Sequence, residues 1–178
     1  MDATLFVYPC RLTADADGRL LVTFPDLPEA ATDGANEAEA MAEAADCLTS
    51  ALAFRLKHKE TVPVPSPVKR GQRQVAPDPT VALKMALHRI AAERGMSAAD
   101  IARQLGISHP EARRLFDPFY RSKIDKLSKT LATLGHVVTI AVYDTSTGEQ
   151  LLTKPTKHSG EAGPTRLDRA TRIAPASS

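Results

Sequence analysis

The residues with the clearest capacity for chemistry lie in one short segment near position 110. Ser108 can cap the start of a helix, His109 and Pro110 follow it, and the basic pair Arg113-Arg114 comes one turn later. The guanidinium group of an arginine can donate two parallel hydrogen bonds to the edge of a guanine base. Basic residues at an exposed helix start therefore predict contact with DNA in the major groove.

Two kinds of DNA contact are expected around this segment. The start and outer face of the helix would reach base edges, whereas basic side chains on either side would bind phosphates without reading the sequence. For His109 two interpretations stay open, a base contact and a helix-cap or phosphate contact. The candidate DNA-binding residues are Arg103, Ser108, His109, Arg113, Arg114, Arg121 and Lys123.

The elements that must position these side chains are two short helices over residues 98–105 and 109–116. Ser97 can cap the first helix and Ser108 the second. Gly106 between them can take a left-handed backbone conformation that other residues resist. Two short capped helices joined by a glycine-containing turn predict a helix-turn-helix.

Side-chain size and the flanking helices extend this interpretation. Ala102 is small where the two helices would approach each other most closely, as in phage-repressor-like domains. Ala112 departs from that pattern, because such domains usually bury valine or isoleucine there. One helix is predicted to begin at Asp78-Pro79 and another at a capping box over residues 122–125. A generic four-helix bundle is the alternative interpretation.

Residues 136–143 are predicted to form an apolar strand, with Val138, Ile140 and Val142 on one face. An apolar strand promotes aggregation unless its edge is covered. Two partners could cover it, a hairpin strand at residues 149–152 or the same strand of a second subunit. The second arrangement is favoured, because a two-fold dimer would bring two recognition helices to successive DNA half-sites.

The two halves of the 178-residue chain carry net charges of opposite sign. Residues 1–60 carry 5 Lys and Arg against 11 Asp and Glu, whereas residues 61–178 carry 18 against 10. The net charge of +2 therefore hides an acidic and a basic module with different partners. No apolar run approaches the ~20 residues of a membrane helix, and no leader-like segment opens the sequence. With only Cys10 and Cys47, we expect reduced thiols and a cytoplasmic protein.

The acidic module is predicted to have the order β-β-β-α-β. Residues 3–12 and 19–25 are rich in β-forming residues, and residues 31–34 are expected to form a third short strand. Asn36 can cap the helix and Glu39 can complete a capping box. A proline-limited strand is expected to follow the helix. The apolar stripe that would cover the sheet consists of Met41, Ala45, Leu48, Leu52 and Leu56.

The motifs of the acidic module resemble the N-terminal domain of the HicB antitoxin family. They are Tyr-Pro at residues 8–9, Phe-Pro-Asp-Leu-Pro at residues 24–28, Thr-x-Gly at residues 32–34 and Pro-Val-Pro-Ser at residues 63–66. The capped, alanine-rich acidic helix lies between the last two. Glu29-Ala30 stands where the family usually has Gly-Cys, and asparagine replaces the common threonine at the helix cap.

The resemblance implies a partial ribonuclease-H-like fold and a protein partner. That partner is a small basic ribonuclease toxin of the HicA type, whose active-site histidine and RNA-binding surface are covered in the complex. An acidic surface offers complementary charge, which speeds association and selects the partner. The candidate toxin-facing residues are Asp26, Glu29, Asp33, Glu37 and Glu43.

The sequence offers little for catalysis or metal binding. A ribonuclease-H-type enzyme needs carboxylates that converge on two divalent ions, and residues 4–12 of the first strand contain no acid. The remaining histidines show no metal-ligand spacing and are expected at the surface. These are His58, His88, His136 and His158.

The predicted fold class is α+β, with a small β-β-β-α-β domain followed by a mainly helical helix-turn-helix domain and a terminal strand. The predicted boundaries are a toxin-binding domain at 1–68, a linker at 69–77, a DNA-binding domain at 78–153 and a disordered tail at 154–178. The predicted function is an antitoxin that neutralises a ribonuclease toxin and represses its own operon by binding operator DNA. It would act as a homodimer or higher oligomer, without catalysis, cofactor, metal or membrane contact. The alternative is a dimeric helix-turn-helix regulator whose N-terminal domain binds a ligand or only dimerises.

Overall fold

The fold is α+β, as the sequence predicts. The computed structural model describes residues 6–142. Within this part of the chain, four strands and five helices follow one another. They are β1 (Tyr8–Ala14), β2 (Leu20–Phe24), β3 (Leu27–Gly34), α1 (Glu37–His58), β4 (Arg73–Val75), α2 (Pro79–Glu93), α3 (Ala98–Leu105), α4 (His109–Phe116) and α5 (Ile124–Thr133). None of these helices is long and apolar enough to cross a membrane.

The strands form one antiparallel sheet in the order β3-β2-β1-β4. Phe24 of β2 pairs with Leu27 of β3, so only a two-residue turn separates these strands. The third strand is therefore longer than the predicted residues 31–34, because it begins at Leu27. The chain returns to the sheet at Leu27, four residues before the predicted start at Ala31. A tight turn and an adjacent register shift make this early return possible.

Helix α1 covers one face of this sheet. Its N-cap is Asn36, whose side chain accepts a hydrogen bond from the Glu39 backbone N–H at 3.0 Å, as predicted. The Glu39 carboxylate reaches back one residue further than in a regular capping box and accepts from the Ala35 N–H at 3.2 Å. The predicted Met41 and Ala45 are only half-buried, at the edge of the covered face. The buried side chains are Ala40, Ala44, Leu48, Leu52, Ala53 and Leu56.

Gly34 allows β3 and α1 to approach each other closely. A Cβ atom at this position would lie 2.3 Å from the backbone nitrogen of Ala40 and 2.6 Å from its Cα. Both neighbours are main-chain atoms, so no side-chain rotation can relieve the overlap. The Thr-x-Gly motif at residues 32–34 is therefore explained by the contact between the sheet and the helix.

The proline-rich segment after α1 is held against the sheet without forming a strand. The Tyr8 hydroxyl donates to the Pro63 carbonyl at 2.8 Å, and the Asp26 carboxylate accepts from the Ser66 backbone N–H at 2.9 Å. The strand predicted to follow the helix is present as β4, which confirms the order β-β-β-α-β, but it does not lie in this proline-rich segment. Prolines 63, 65 and 67 have no N–H to donate to a strand ladder, so side chains of the sheet bind the segment instead.

The fourth strand lies inside the segment predicted to be a linker, residues 69–77. In β4, Val75 pairs with Tyr8 and Arg73 pairs with Cys10 of β1. Val75 is also buried in the core beneath α1. This part of the expected linker is therefore a component of the N-terminal sheet.

Two hydrophobic cores share helix α2. The first half of α2 contributes Val81 and Met85 to the core between the sheet and α1. The second half contributes Leu87 and Ile90 to a core formed with α3, α4 and α5. The other buried residues of this second core are Ile101, Leu115, Leu127, Leu131 and Leu134.

The helices of the C-terminal half begin and end close to the predicted positions. Asp78 caps α2 and accepts hydrogen bonds from the N–H groups of Thr80 and Val81. Helix α5 differs, because its N-cap residue is Lys123 and it has no side-chain cap. The predicted capping box over residues 122–125 is therefore wrong, since the Ser122 hydroxyl lies 3.5 Å from the Arg114 carbonyl of α4 instead.

Residues 136–142 form no strand within the described single chain. Val137 is 92% exposed and Ile140 73% exposed, so the segment leaves apolar side chains uncovered. The terminal strand of the predicted fold class is thus not formed in the described part of the chain, because a strand needs a hydrogen-bonded neighbour and residues 136–142 have none there. The predicted hairpin partner at 149–152, Tyr143 and the predicted disordered tail at 154–178 lie outside the described residues.

Candidate binding surfaces

Helices α3 and α4 form a closely packed pair. The side chain of Ser97 caps α3 in a complete capping box with Asp100. Gly106 ends α3 with a φ of 64°, in the left-handed region that favours glycine. Ala112 is fully buried on the inner side of α4, at the position where the sequence departed from the expected valine or isoleucine. The small side chain therefore leaves no solvent-exposed gap at this position of α4.

All seven candidate DNA-binding residues are exposed. His109 and Arg113 are separated by four residues in α4 and therefore lie on the same side of the helix. The Ser108 hydroxyl caps α4 by accepting from the Glu111 N–H at 3.4 Å. Arg121 and Lys123 lie beyond α4, on either side of Ser122.

Besides Ser108, two of the basic candidates have partners within the described part of the chain. Arg103 forms an ion pair with Asp100 on α3. The Arg114 guanidinium lies 5.3 Å from the centre of the Tyr120 ring, at cation–π distance. The structure therefore leaves His109 and Arg113 better placed to reach a ligand than Arg103 and Arg114.

Two polar side chains of α2 bind backbone carbonyls at the C-terminal end of α4. Both were missed by sequence analysis. Lys84 of α2 is fully buried, and its ammonium group donates to the carbonyls of Arg114, Asp117 and Tyr120. Burial lowers the pKa of this ammonium group, an effect opposed by the carboxylate of Asp117. The sequence contained a signal, because Lys84 lies three residues from both Val81 and Leu87 on the apolar face of α2.

His88 is the second such side chain and is not the ordinary surface histidine that was predicted. Its Nε2 atom lies 2.8 Å from the Phe116 carbonyl, and its ring packs edge-on against the Phe116 ring. Burial lowers the pKa of the imidazole, which favours the neutral ring with a proton on Nε2. The Phe116 carbonyl is then satisfied by this N–H.

The candidate toxin-facing acids lie on different elements, and most are already bound. Glu29 pairs with Arg55 at 2.5 Å, Asp33 pairs with Arg19, and Glu37 pairs with Arg73 at 2.9 Å. The hydrogen bond from Arg55 holds the pKa of the Glu29 carboxyl below its usual value. Asp26 binds the Ser66 backbone. Within residues 6–142, Glu43 is the one candidate whose carboxylate has neither an ion pair nor a hydrogen bond.

The described residues contain no group of three or more His, Cys, Asp or Glu side chains placed to hold a metal ion. Asp15 and Asp17 lie in the turn between β1 and β2, where the Asp15 carboxylate accepts from the backbone N–H groups of Asp17 and Arg19. In this part of the chain the Asp15 carboxylate supports the turn, and the two acids belong to no cluster that could hold a metal ion.

The fold and these surfaces define a class of small α+β proteins, in which a sheet covered by one long helix precedes a pair of short capped helices. A family model described as the HicB-like antitoxin of bacterial toxin–antitoxin systems matches residues 7–86. Together with curated HicB antitoxins that are 33% and 32% identical over 135 residues, this match shows that the chain belongs to the HicB antitoxin family.

Curated relatives extend the similarity beyond the N-terminal sheet. Antitoxin HicB 1 of Photorhabdus laumondii is 33% identical over 135 residues, which cover 76% of this chain and 86% of the relative. Antitoxin HicB of Escherichia coli K12 is 32% identical over 135 residues, which cover 98% of that protein. Antitoxin HicB of Pseudomonas fluorescens is 28% identical over 126 residues. Each match is too long to be confined to the segment that the family model covers.

Proposed function

We propose that this chain neutralises a small basic ribonuclease toxin in the cytoplasm and represses its own operon by binding operator DNA. The observation that carries this proposal is the alignment with proteins named Antitoxin HicB over 76% of the chain. The inhibition would be non-enzymatic, by covering the toxin's active site. The HicA-type toxin and the operator duplex are the proposed partners of the two charged modules.

The toxin-facing part of the proposal depends on the acidic outer face of α1. Glu43 and Asp46 are exposed there, whereas Glu37 on the same helix is paired with Arg73. Because the acids of β3 are neutralised by arginines, α1 supplies more of the uncompensated negative charge than the sheet does. A basic toxin would dock against α1 through charge complementarity, which sets association rate and partner choice.

The DNA-facing part depends on α4 as a recognition helix. Its exposed start carries His109, and Arg113 follows one turn later. Arg121 and Lys123 would bind phosphates beside the groove. A two-fold dimer through Val138, Ile140 and Val142 would cover the exposed apolar segment and place two copies of α4 on successive half-sites.

One experiment separates the two activities in the full-length chain. The adjacent small reading frame is induced in cells that carry this chain, and the restoration of growth is measured. In a second assay, the chain is tested for retardation of a DNA duplex from upstream of its own reading frame. We expect the parent to restore growth and to retard the duplex. Glu43→Lys should weaken toxin binding about tenfold, because it places like charges opposite each other, and it should therefore restore growth less well than the parent. Retardation of the duplex should be unchanged. Glu60→Lys is the matched control, and it should behave as the parent.

The alternative function has a distinct outcome in the same assay. A dimeric regulator without a toxin partner would retard the duplex but would not restore growth. A parent chain that gives this result contradicts the proposed antitoxin function and supports the regulator.

A further inference from the structure

Helix α2 binds the C-terminal end of α4 at two successive turns. The Nζ atom of Lys84 lies 3.3 Å from the Arg114 carbonyl and 2.5 Å from the Tyr120 carbonyl, and it also donates to the Asp117 carbonyl. Four residues later, His88 binds the Phe116 carbonyl at 2.8 Å. We call Lys84 and His88 the α2 clamp.

The clamp satisfies groups that the helix itself leaves without partners. The last carbonyls of an α-helix have no intrahelical donor and carry a partial negative charge, so a cation there is favourable. Lys84 is 0% exposed, and an ammonium group in such a position is costly unless its N–H groups are hydrogen-bonded. Three carbonyl acceptors meet that requirement, that of Arg114 in the last turn of α4 and those of Asp117 and Tyr120 just after the helix. The buried charge is therefore matched to one particular placement of the end of α4 and the turn that follows it.

A helix as short as α4 depends on such external contacts for its orientation. It has eight residues, well below the ~12 at which isolated helices become even marginally stable. Its inner side contributes only Ala112 and Leu115 as buried side chains. Apolar contacts are non-directional, whereas hydrogen bonds to named carbonyls fix both rotation and translation.

The clamp also lies next to a candidate DNA contact. The Tyr120 ring centre is 5.8 Å from the Lys84 Nζ atom and 5.3 Å from the guanidinium carbon of Arg114. The clamped end of α4 and the turn that follows it therefore help to place Arg114. His109 and Arg113 remain exposed on the same helix.

We propose that Lys84 and His88 are positioning residues that set the orientation of α4 for sequence-specific DNA recognition, without contacting DNA themselves. This inference rests on the proposed operator binding. Base contacts need donors and acceptors aligned within a fraction of an ångström, whereas phosphate contacts tolerate displacement. Loss of the clamp should therefore reduce discrimination between sequences more than it reduces binding to DNA in general.

The test uses full-length variants and two labelled duplexes, one from upstream of the reading frame and one of scrambled sequence. Lys84→Met removes the charge at nearly constant volume, and His88→Phe removes the N–H donor. Circular dichroism selects conditions in which each variant is folded, and fluorescence anisotropy then gives both affinities. We expect each variant to lose about tenfold in the affinity ratio of the two duplexes, since a shifted helix loses a base contact.

Two controls separate positioning from general effects. Lys129→Met removes one positive charge from the exposed face of α5 and should leave the affinity ratio unchanged. His88→Gln keeps an N–H donor at nearly the same place and should retain the ratio within about twofold. A purely structural role would lower the unfolding midpoint without changing the ratio measured on folded protein.

The outcomes for the two proposals differ. If the parent discriminates between the duplexes and folded His88→Phe discriminates equally well, the clamp inference is overturned while operator binding stands. Should Lys84→Met not fold, the comparison of His88→Phe with His88→Gln decides the matter alone. A parent that does not discriminate overturns the proposed operator binding and, with it, this inference.

Discussion

At the scale of single residues, the side chains that cap helices bind backbone groups close by in sequence, whereas the buried Lys84 binds backbone groups far along the chain. Asn36, Ser97 and Ser108 cap the helices that the sequence assigned to them, because a cap binds an N–H only two or three residues away. Lys84 could not be assigned in this way, since its acceptors lie 30 to 36 residues further along the chain. The arginines that neutralise the β3 acids are distant in sequence for the same reason.

The proposed recognition residue Arg113 gives the first prediction. Arg113→Ala should weaken operator binding by about 1–3 kcal/mol and relax specificity at one base pair, because a bidentate base contact is lost. Lys123→Ala removes the same charge from a phosphate-contacting position. It should weaken all duplexes alike and reduce the salt slope by about one. Competition binding over single-base operator variants measures both effects, and an unchanged specificity profile in Arg113→Ala would show that this assignment is wrong.

The buried hydroxyl of Tyr8 gives a prediction about pH. Burial, together with the nearby carboxylate of Asp26, raises the pKa of Tyr8 to about 12. The unfolded chain releases this proton near pH 10 and the folded chain does not, so the stabilisation is complete below pH 10 and is lost as the pH rises to 12. Below pH 10 the parent should exceed Tyr8→Phe by about 1 kcal/mol, through the hydrogen bond to Pro63.

Between pH 10 and 12, that advantage should fall by roughly 2–3 kcal/mol and change sign. Urea unfolding of both proteins at half-unit pH steps measures the difference. The Tyr8→Phe variant corrects for every other group that titrates in this range. Parallel stability curves would mean that the Tyr8 hydroxyl is not buried as described.

At the scale of elements, predictions held where the signals are local. The bounds of α3 and α4 match the predicted helices, because a capping serine and a following glycine or proline define each end. A strand after α1 was predicted, but the position of β4 was missed, because its partner, β1, lies more than sixty residues earlier. The strand expected at 136–143 does not form within the described residues, and neither of its two predicted partners, a hairpin strand or a second subunit, lies in this part of the chain.

The junction between β3 and α1 gives a prediction at this scale. Gly34→Ala places a Cβ atom against the main chain of Ala40, and we expect a loss of about 3 kcal/mol or more in the free energy of unfolding. Gly18→Ala is the matched control. Its φ of 80° is strained for alanine, but no atom lies within 4 Å of the new Cβ, so about 1 kcal/mol should be lost. Equal losses for the two variants would contradict the close approach of β3 and α1.

At the scale of the whole molecule, the charge division was visible in the sequence, but the sharing of α2 was not. The predicted boundary at residues 69–77 follows the composition, in which prolines and basic residues separate the two halves. Packing places β4 and the first half of α2 with the N-terminal core instead. Such packing depends on where a helix lies in three dimensions, which a change in composition does not record.

The shared helix gives a prediction about truncated chains. A fragment of residues 1–75 lacks Val81 and Met85, each of which should contribute about 1.5–3 kcal/mol when buried. A fragment of residues 1–86 retains both, and it should be more stable by about 3 kcal/mol or more in urea unfolding. The double variant Val81→Ala, Met85→Ala of the longer fragment should return to the stability of the shorter one. Fragments of equal stability would show that α2 adds nothing to the N-terminal core.

Because α2 contributes to both hydrophobic cores, it restricts where this sequence can be recombined with those of its relatives. A recombination point within residues 79–93 would join half a helix fitted to one set of neighbours to half a helix fitted to another, and both interiors would be mismatched. A crossover at Gly95 transfers α2 intact but separates Leu87 and Ile90 from the helices they pack against. Hybrid antitoxins that combine two specificities therefore need co-adapted substitutions in the second half of α2, wherever the parental sequences are joined.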